Sequence, residues 1–163
     1  TTLLDAMAQL ESYEACLEIV GSGELETELT AHAKNLGISS RVRFSGSIPH
    51  HLLPNKYRSA DLFVQSSCHE AQGMALLEAA ACGIASAGTP VGILPELARE
   101  GAASITRGSH ADDLAAAIVD ALDTRERMGT RAREMATLEY DLETTCSKWT
   151  RLYQETQGGQ RKA

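Results

Sequence analysis

Two carboxylates and a glycine frame the stretch of this sequence best suited to chemistry. Glu70 and Glu78 stand eight positions apart in Ser66-Ser-Cys-His-Glu70-Ala-Gln-Gly73-Met-Ala-Leu-Leu-Glu78-Ala-Ala-Ala-Cys-Gly83. The alanine-rich run from Met74 to Cys82 predicts a helix stopped by Gly83, which puts Glu70 in the preceding loop and Glu78 inside the helix. Gly73 falls at the entrance, where a bulkier residue would block a ligand approaching the free N–H groups of Met74 and Ala75. Those donors and the helix dipole make an anion site, worth roughly 0.3–1 kcal/mol per exposed charge. Two carboxylates aimed at the anion itself would repel it. They fit if each accepts hydrogen bonds from neutral hydroxyls on either side of a diphosphate, a sugar on one side and a ribose on the other. Taken alone, Glu70 reads as a solvated loop residue and Glu78 as a surface charge. Glu78, however, is surrounded by Leu76, Leu77, Ala79, Ala80 and Ala81, and a carboxylate among apolar neighbours is costly without partners.

These residues need a scaffold, and the chain alternates in a way that supplies one. Apolar spacing predicts a helix over 3–14, a strand over 16–20 ended by Gly21-Ser22-Gly23, and a helix over 24–36. Strands are expected at 41–45, ended by Gly46, at 61–65, at 84–87 and at 102–106. After the helix at 74–82, three more are expected at 112–122, 125–137 and 142–154, then a frayed tail, with 158–163 disordered. Short strands alternating with helices imply βαβ units: an α/β, Rossmann-like parallel sheet with flanking helices. Such sheets bind ligands outside the carboxyl ends of their strands, where Gly21–Gly23, Gly46-Ser47-Ile48 and 67–75 fall.

Composition narrows the partners. The 163 residues carry a net charge of −7 with 43% hydrophobic residues, enough for one core of about 150 residues (1–157) and too acidic for a broad nucleic-acid surface. Mean hydropathy is −0.20 and no stretch is long and apolar enough for a transmembrane segment. Cys16, Cys68, Cys82 and Cys146 form no CxxC pair, which suits reduced thiols in a cytoplasmic protein; Cys16 and Cys82 read as small core residues. His50-His51 has no carboxylate at ligand spacing, so no metal is expected there, and His32 and His110 read as surface or cap positions. Trp149 and Tyr153 share a helix face. Ser66-Ser67 shows no partner for hydrolase chemistry.

Five segments in order resemble the nucleotide-sugar-binding half of the retaining group 1 glycosyltransferases. They are Ile19-Val-Gly-Ser-Gly23, Val42-Arg-Phe-Ser-Gly46-Ser-Ile48, Tyr57-Arg-Ser-Ala-Asp61-Leu-Phe-Val64, Glu70 to Gly83 with its two glutamates, and Gly88-Thr-Pro-Val-Gly-Ile-Leu-Pro-Glu96-Leu97. The match runs across 3–155. It implies the donor half of the two-domain glycosyltransferase B fold, and transfer of a sugar from a nucleotide-diphosphate sugar to an acceptor hydroxyl with retention and without a metal cofactor. By position, Glu70 would contact the donor sugar and assist its departure, with His69 beside it. Gly73, Met74 and Ala75 would offer N–H groups to the diphosphate, and Glu78 would hold the ribose. Gly46, Ser47 and Ile48 would meet the base, and Gly21, Ser22 and Gly23 would line the cleft.

Some positions depart from the family pattern. Ser66 replaces a usual Pro, Gln72-Gly73 a usual Phe-Gly, and Gly92-Ile93 a usual glycine pair. The family's donor domain also opens with a strand ending in Arg, then Lys-Gly, which this sequence lacks ahead of residue 3. The resemblance therefore implies a part of a longer enzyme, inactive by itself, without the N-terminal acceptor domain. In a 3-2-1-4-5-6 sheet the central place would be vacant, filled by another copy or by rearranged strands. Any peripheral membrane contact would belong to the acceptor domain. The alternatives are half of a sugar-nucleotide epimerase and a non-catalytic nucleotide-sugar-binding module.

Overall fold

The computed structural model describes residues 1–159. The chain begins with α1 (Thr2–Gln9), whose Leu4, Ala6 and Met7 are buried. The helix expected over 3–14 stops early because Glu11 to Glu14 are all exposed, and a turn that buries nothing has no tertiary packing to hold it. A single 3-10 turn, Glu11–Tyr13, closes it, with Glu14 left-handed at φ 48°. β1 (Leu17–Ile19) and β2 (Val42–Phe44) follow on either side of α2 (Glu26–Asn35), paired in parallel with Leu17 opposite Val42 and Ile19 opposite Phe44. Cys16, expected in the core, is exposed just ahead of β1. Alternation explains it: Leu17 and Ile19 pack on the core, leaving Cys16 and Glu18 on the outer side.

The second half winds α3 (Leu53–Arg58), β3 (Phe63–Gln65), α4 (Met74–Ala81), β4 (Ser86–Gly88), α5 (Leu94–Arg99) and β5 (Ala103–Ile105). The helices α6 (Ala111–Asp123), α7 (Arg125–Glu139) and α8 (Leu142–Gly159) complete it. Helices α3 and α5 go beyond the sequence expectation. Each is six residues long, too short to show a helical period, and its one local signal is a proline in the first turn, Pro54 or Pro95. His110 caps α6 in a box with Asp113. The disordered tail expected from 158 lies outside the described residues, apart from Gly158 and Gly159 at the end of α8.

All strand pairs are parallel, but they form two sheets rather than one: β1–β2, and β3–β4–β5 in that order. No rearranged strand joins the two among the described residues. One hydrophobic cluster nevertheless spans both, with Leu17, Ile19 and Val42 from the first sheet and Val64 and Ala87 from the second. Leu4, Met7 and Leu10 of the first segment and Leu114 and Ile118 of α6 fill it. A second cluster covers the opposite face, where Phe63 and Ala103 meet Leu76 and Leu77 of α4, Leu94 and Leu97 of α5, and Met135 of α7. Helices thus cover both faces of the larger sheet, and β4 is buried along its length with only Ser, Ala and Gly to accommodate them. The turns that follow the strands are left open on one rim.

Candidate functional site

The carboxyl end of β3 leads into the loop that carries Cys68, His69, Glu70 and Ala71. These four residues, with Val91 and Gly92 from the turn after β4, line an open cleft of about 530 Å³. The two turns are tied together by backbone: the Ile93 N–H donates to the Gln72 carbonyl at 2.8 Å. Gly92 permits that approach. Its φ is +59°, and a Cβ there would lie 2.5 Å from the Gln72 carbonyl oxygen and 3.1 Å from the Glu70 Cβ. Thr89 fastens the base of the loop, its hydroxyl donating to the Ser67 carbonyl at 2.6 Å. Glu70 itself is exposed and accepts one hydrogen bond, from the Ser67 hydroxyl at 3.0 Å.

Beyond Glu70 the chain turns into α4 through Gly73, which is left-handed at φ +86°. A Cβ there would stand 3.0 Å from the Leu76 side chain, so the entrance fits glycine on backbone and packing grounds alike. The N–H groups of Leu76 and Leu77 both donate to the Gly73 carbonyl. The Met74 and Ala75 N–H groups precede these and have no intrahelical acceptor, and both residues are exposed. Helix entry through Gly73 thus leaves these two donors free, as the sequence predicts. Beside Gly73 lies Gln65, buried at the end of β3 with an Nε2 that has no hydrogen-bond partner among the described residues.

Glu78 sits one turn further along α4, half-buried and fully engaged. The Tyr57 hydroxyl of α3 donates to its Oε2 at 2.9 Å, and His50 Nε2 lies 3.0 Å from its Oε1. Burial raises the Tyr57 hydroxyl above the ordinary tyrosine range, and the hydrogen bond to Glu78 adds to the rise, so it remains a donor. No carboxylate stands at ligand spacing from His50 along the chain; the fold brings Glu78 to it across 28 positions. Tyr57 and His50 carry no local signal of this role. Tyr57 could be found only as the first residue of the Tyr57 to Val64 segment, and His50 only from the folded chain.

The remaining expected residues lie in turns that follow the strands. The Gly21 N–H donates to the Gly46 carbonyl at 2.8 Å, and the Ser22 and Ser47 hydroxyls lie 2.9 Å apart, so the two glycine turns form one rim with exposed Gly23 at its edge. Ile48 is half-buried, and Pro49 leads directly from it to His50 and so to Glu78. His69 lines the cleft next to Glu70. Underneath, Glu18 of β1 binds Lys56 of α3 at 2.6 Å, Arg43 of β2 at 2.8 Å and the Ser45 hydroxyl. Those hydrogen bonds pull its carboxyl down to about 2 and tie α3 to the smaller sheet. Among the described residues no three His, Cys, Asp or Glu side chains converge as a metal site, and no helix is long and apolar enough to cross a membrane.

Known proteins share this fold. The family model described as "Glycosyl transferases group 1" matches residues 1–135. A D-inositol 3-phosphate glycosyltransferase of Geodermatophilus obscurus is 36% identical over 118 residues, covering 71% of this chain and 26% of that protein. An N-acetyl-alpha-D-glucosaminyl L-malate synthase of Bacillus anthracis is 30% identical over 144 residues, covering 86% and 37%. Among solved structures, sucrose-phosphate synthase from Thermosynechococcus elongatus superposes with a TM-score of 0.84 at 25% identity, covering 97% of this chain and 42% of that one. Anabaena HepE in complex with UDP-glucose superposes at 0.82, with 24% identity and coverage of 94% and 44%. The chain thus spans less than half the length of each of these relatives.

Proposed function

Because the chain belongs to the group 1 glycosyl transferase family, we propose that it forms the nucleotide-sugar-binding half of an enzyme that transfers a sugar from a nucleoside diphosphate to an acceptor hydroxyl. The observation that supports this reading is the α4 entrance: free N–H groups at Met74 and Ala75, with Glu70 before them and Glu78 after. In this reading the diphosphate takes its hydrogen bonds from Gly73, Met74 and Ala75, so the charge that develops on the leaving group meets fixed dipoles rather than a metal. Glu70 accepts from hydroxyls of the donor sugar and helps organise its departure with retained configuration; His69 stands beside it. Glu78 accepts from the ribose, the rim from Gly46 to Ile48 meets the base, and Gly21 to Gly23 bound the cleft. The complex of HepE with UDP-glucose supports this class of ligand.

The same reading gives the split sheet a purpose. In it, one further parallel strand, supplied by the polypeptide that carries the acceptor domain or by a second copy, joins the smaller sheet to the larger. Exposed free thiols at Cys16, Cys68 and Cys146 suit a reducing, cytoplasmic setting, with any membrane contact left to the acceptor domain. Calorimetric titration with UDP, GDP and ADP tests the site. One of the three is expected to bind saturably, and Glu78→Ala to weaken it. Nucleotide binding that ignores the substitution would overturn the assignment.

A further inference from the structure

We propose that Tyr57 is a positioning residue for nucleotide binding: it holds one oxygen of Glu78 so that the other is presented to the ligand, and His50 is the guest the ligand displaces. The inference rests on the donor-site reading above. The two partners of Glu78 differ in kind. Tyr57 is half-buried in the seam between α3 and α4, its ring 5.9 Å from Phe63 in an edge-to-face contact, and its hydroxyl reaches Oε2. The Cys82 thiol just past the end of α4, 3.9 Å from the Pro54 carbonyl of α3, closes the same seam. Lys56, beside Tyr57, is held by Glu18 from below. His50 reaches Oε1 from the solvent side, with its side chain 82% exposed against 29% for Glu78.

A carboxylate with one oxygen fixed has one less torsion to freeze when a ligand arrives, and preorganisation of that sort appears directly as affinity. Two vicinal ribose hydroxyls need an acceptor that does not turn away. The exposed His50 contact costs little to break, because a ribose hydroxyl replaces it. The two side chains therefore act with opposite sign on one carboxylate. Removing the Tyr57 hydroxyl loosens the acceptor; removing the His50 ring frees it.

The test is a double-mutant cycle read by calorimetry with whichever of UDP, GDP or ADP binds, repeated with its 2′-deoxy counterpart. Tyr57→Phe is expected to weaken the ribonucleotide about tenfold, to cost much less with the 2′-deoxy form, and to add nothing to Glu78→Ala. His50→Ala is expected to leave affinity equal or tighter. Tyr57→Phe that weakens binding just as much in the Glu78→Ala background would overturn the positioning role, since a purely structural loss persists there. So would Tyr57→Phe that binds like the unsubstituted chain while Glu78→Ala does not. If Glu78→Ala is itself without effect, the donor-site reading falls and this inference falls with it.

Discussion

The two carboxylates of the site live in opposite surroundings. Glu70 stands on a loop held by backbone contacts between two strand-end turns, with a single hydroxyl partner and its carboxylate in solvent. Glu78 stands in a helix seam, with a hydroxyl on one oxygen and an imidazole on the other. The contrast matches the tasks proposed for them. A group that meets a ribose is best fixed before the ligand comes, because freezing it afterwards costs binding free energy. A group that meets a sugar which must leave needs room, and the cleft of about 530 Å³ beside Glu70 gives it. Side-chain packing positions one carboxylate and main chain positions the other.

The contrast can be broken most strongly at Gly92. Replacing it by Ala forces a left-handed residue onto a Cβ and drives that Cβ into the Gln72 carbonyl, so the unfolding free energy should fall by about 2–3 kcal/mol. Denaturant titration would register the loss, and stability unchanged from the parent would mean that the loop is not braced there. Glu78→Ala should cost about 10- to 100-fold in nucleoside diphosphate affinity, the range for hydrogen bonds to a charged group. Glu70→Ala should do less and do it selectively: about fivefold weaker binding of the nucleotide sugar, with the bare diphosphate bound as before. Equal losses for both ligands would place Glu70 against the diphosphate or ribose and erase the distinction between the two carboxylates.

The smallest effect concerns the ion cluster beneath the seam. Glu18 is held down to about 2 from its ordinary 4.5, chiefly by Lys56, with Ser45 and Arg43 contributing. A carboxyl lowered by folding contributes stability that is fully present above pH 4.5 and fades as pH falls toward 2. In Glu18→Gln, melting temperature against pH should be flatter over that interval and unchanged in shape above it. A profile with the parent's slope would show that the cluster does not couple α3 to the smaller sheet.

Much of this was legible along the chain. Strand–helix alternation gave the parallel α/β class, and the positions of the five strands followed from short apolar runs ended by Gly or Ser. The glycine entry to α4 was legible because it is a local event: Gly73, Met74 and Ala75 sit where the sequence placed them. Cys16 shows the limit of such reading. It adjoins apolar residues, but strand alternation turns it outward, and the phase is set by which side the core occupies. The short helices α3 and α5 were hidden because six residues make less than two turns and carry no period.

The sequence by itself determined the alternation, the spacing of Glu70 and Glu78 about Gly73, and the family to which those motifs belong, since each depends on neighbours within a few turns of chain. Tertiary structure decided what Glu78 touches. Its partners come from α3 and from the turn after β2, 21 and 28 positions away, and no local pattern encodes such a meeting. It also decided how the two sheets are held on one shared core. Strand pairing depends on which edges lie side by side, and that is settled by the packing of α1 and α6 beneath them.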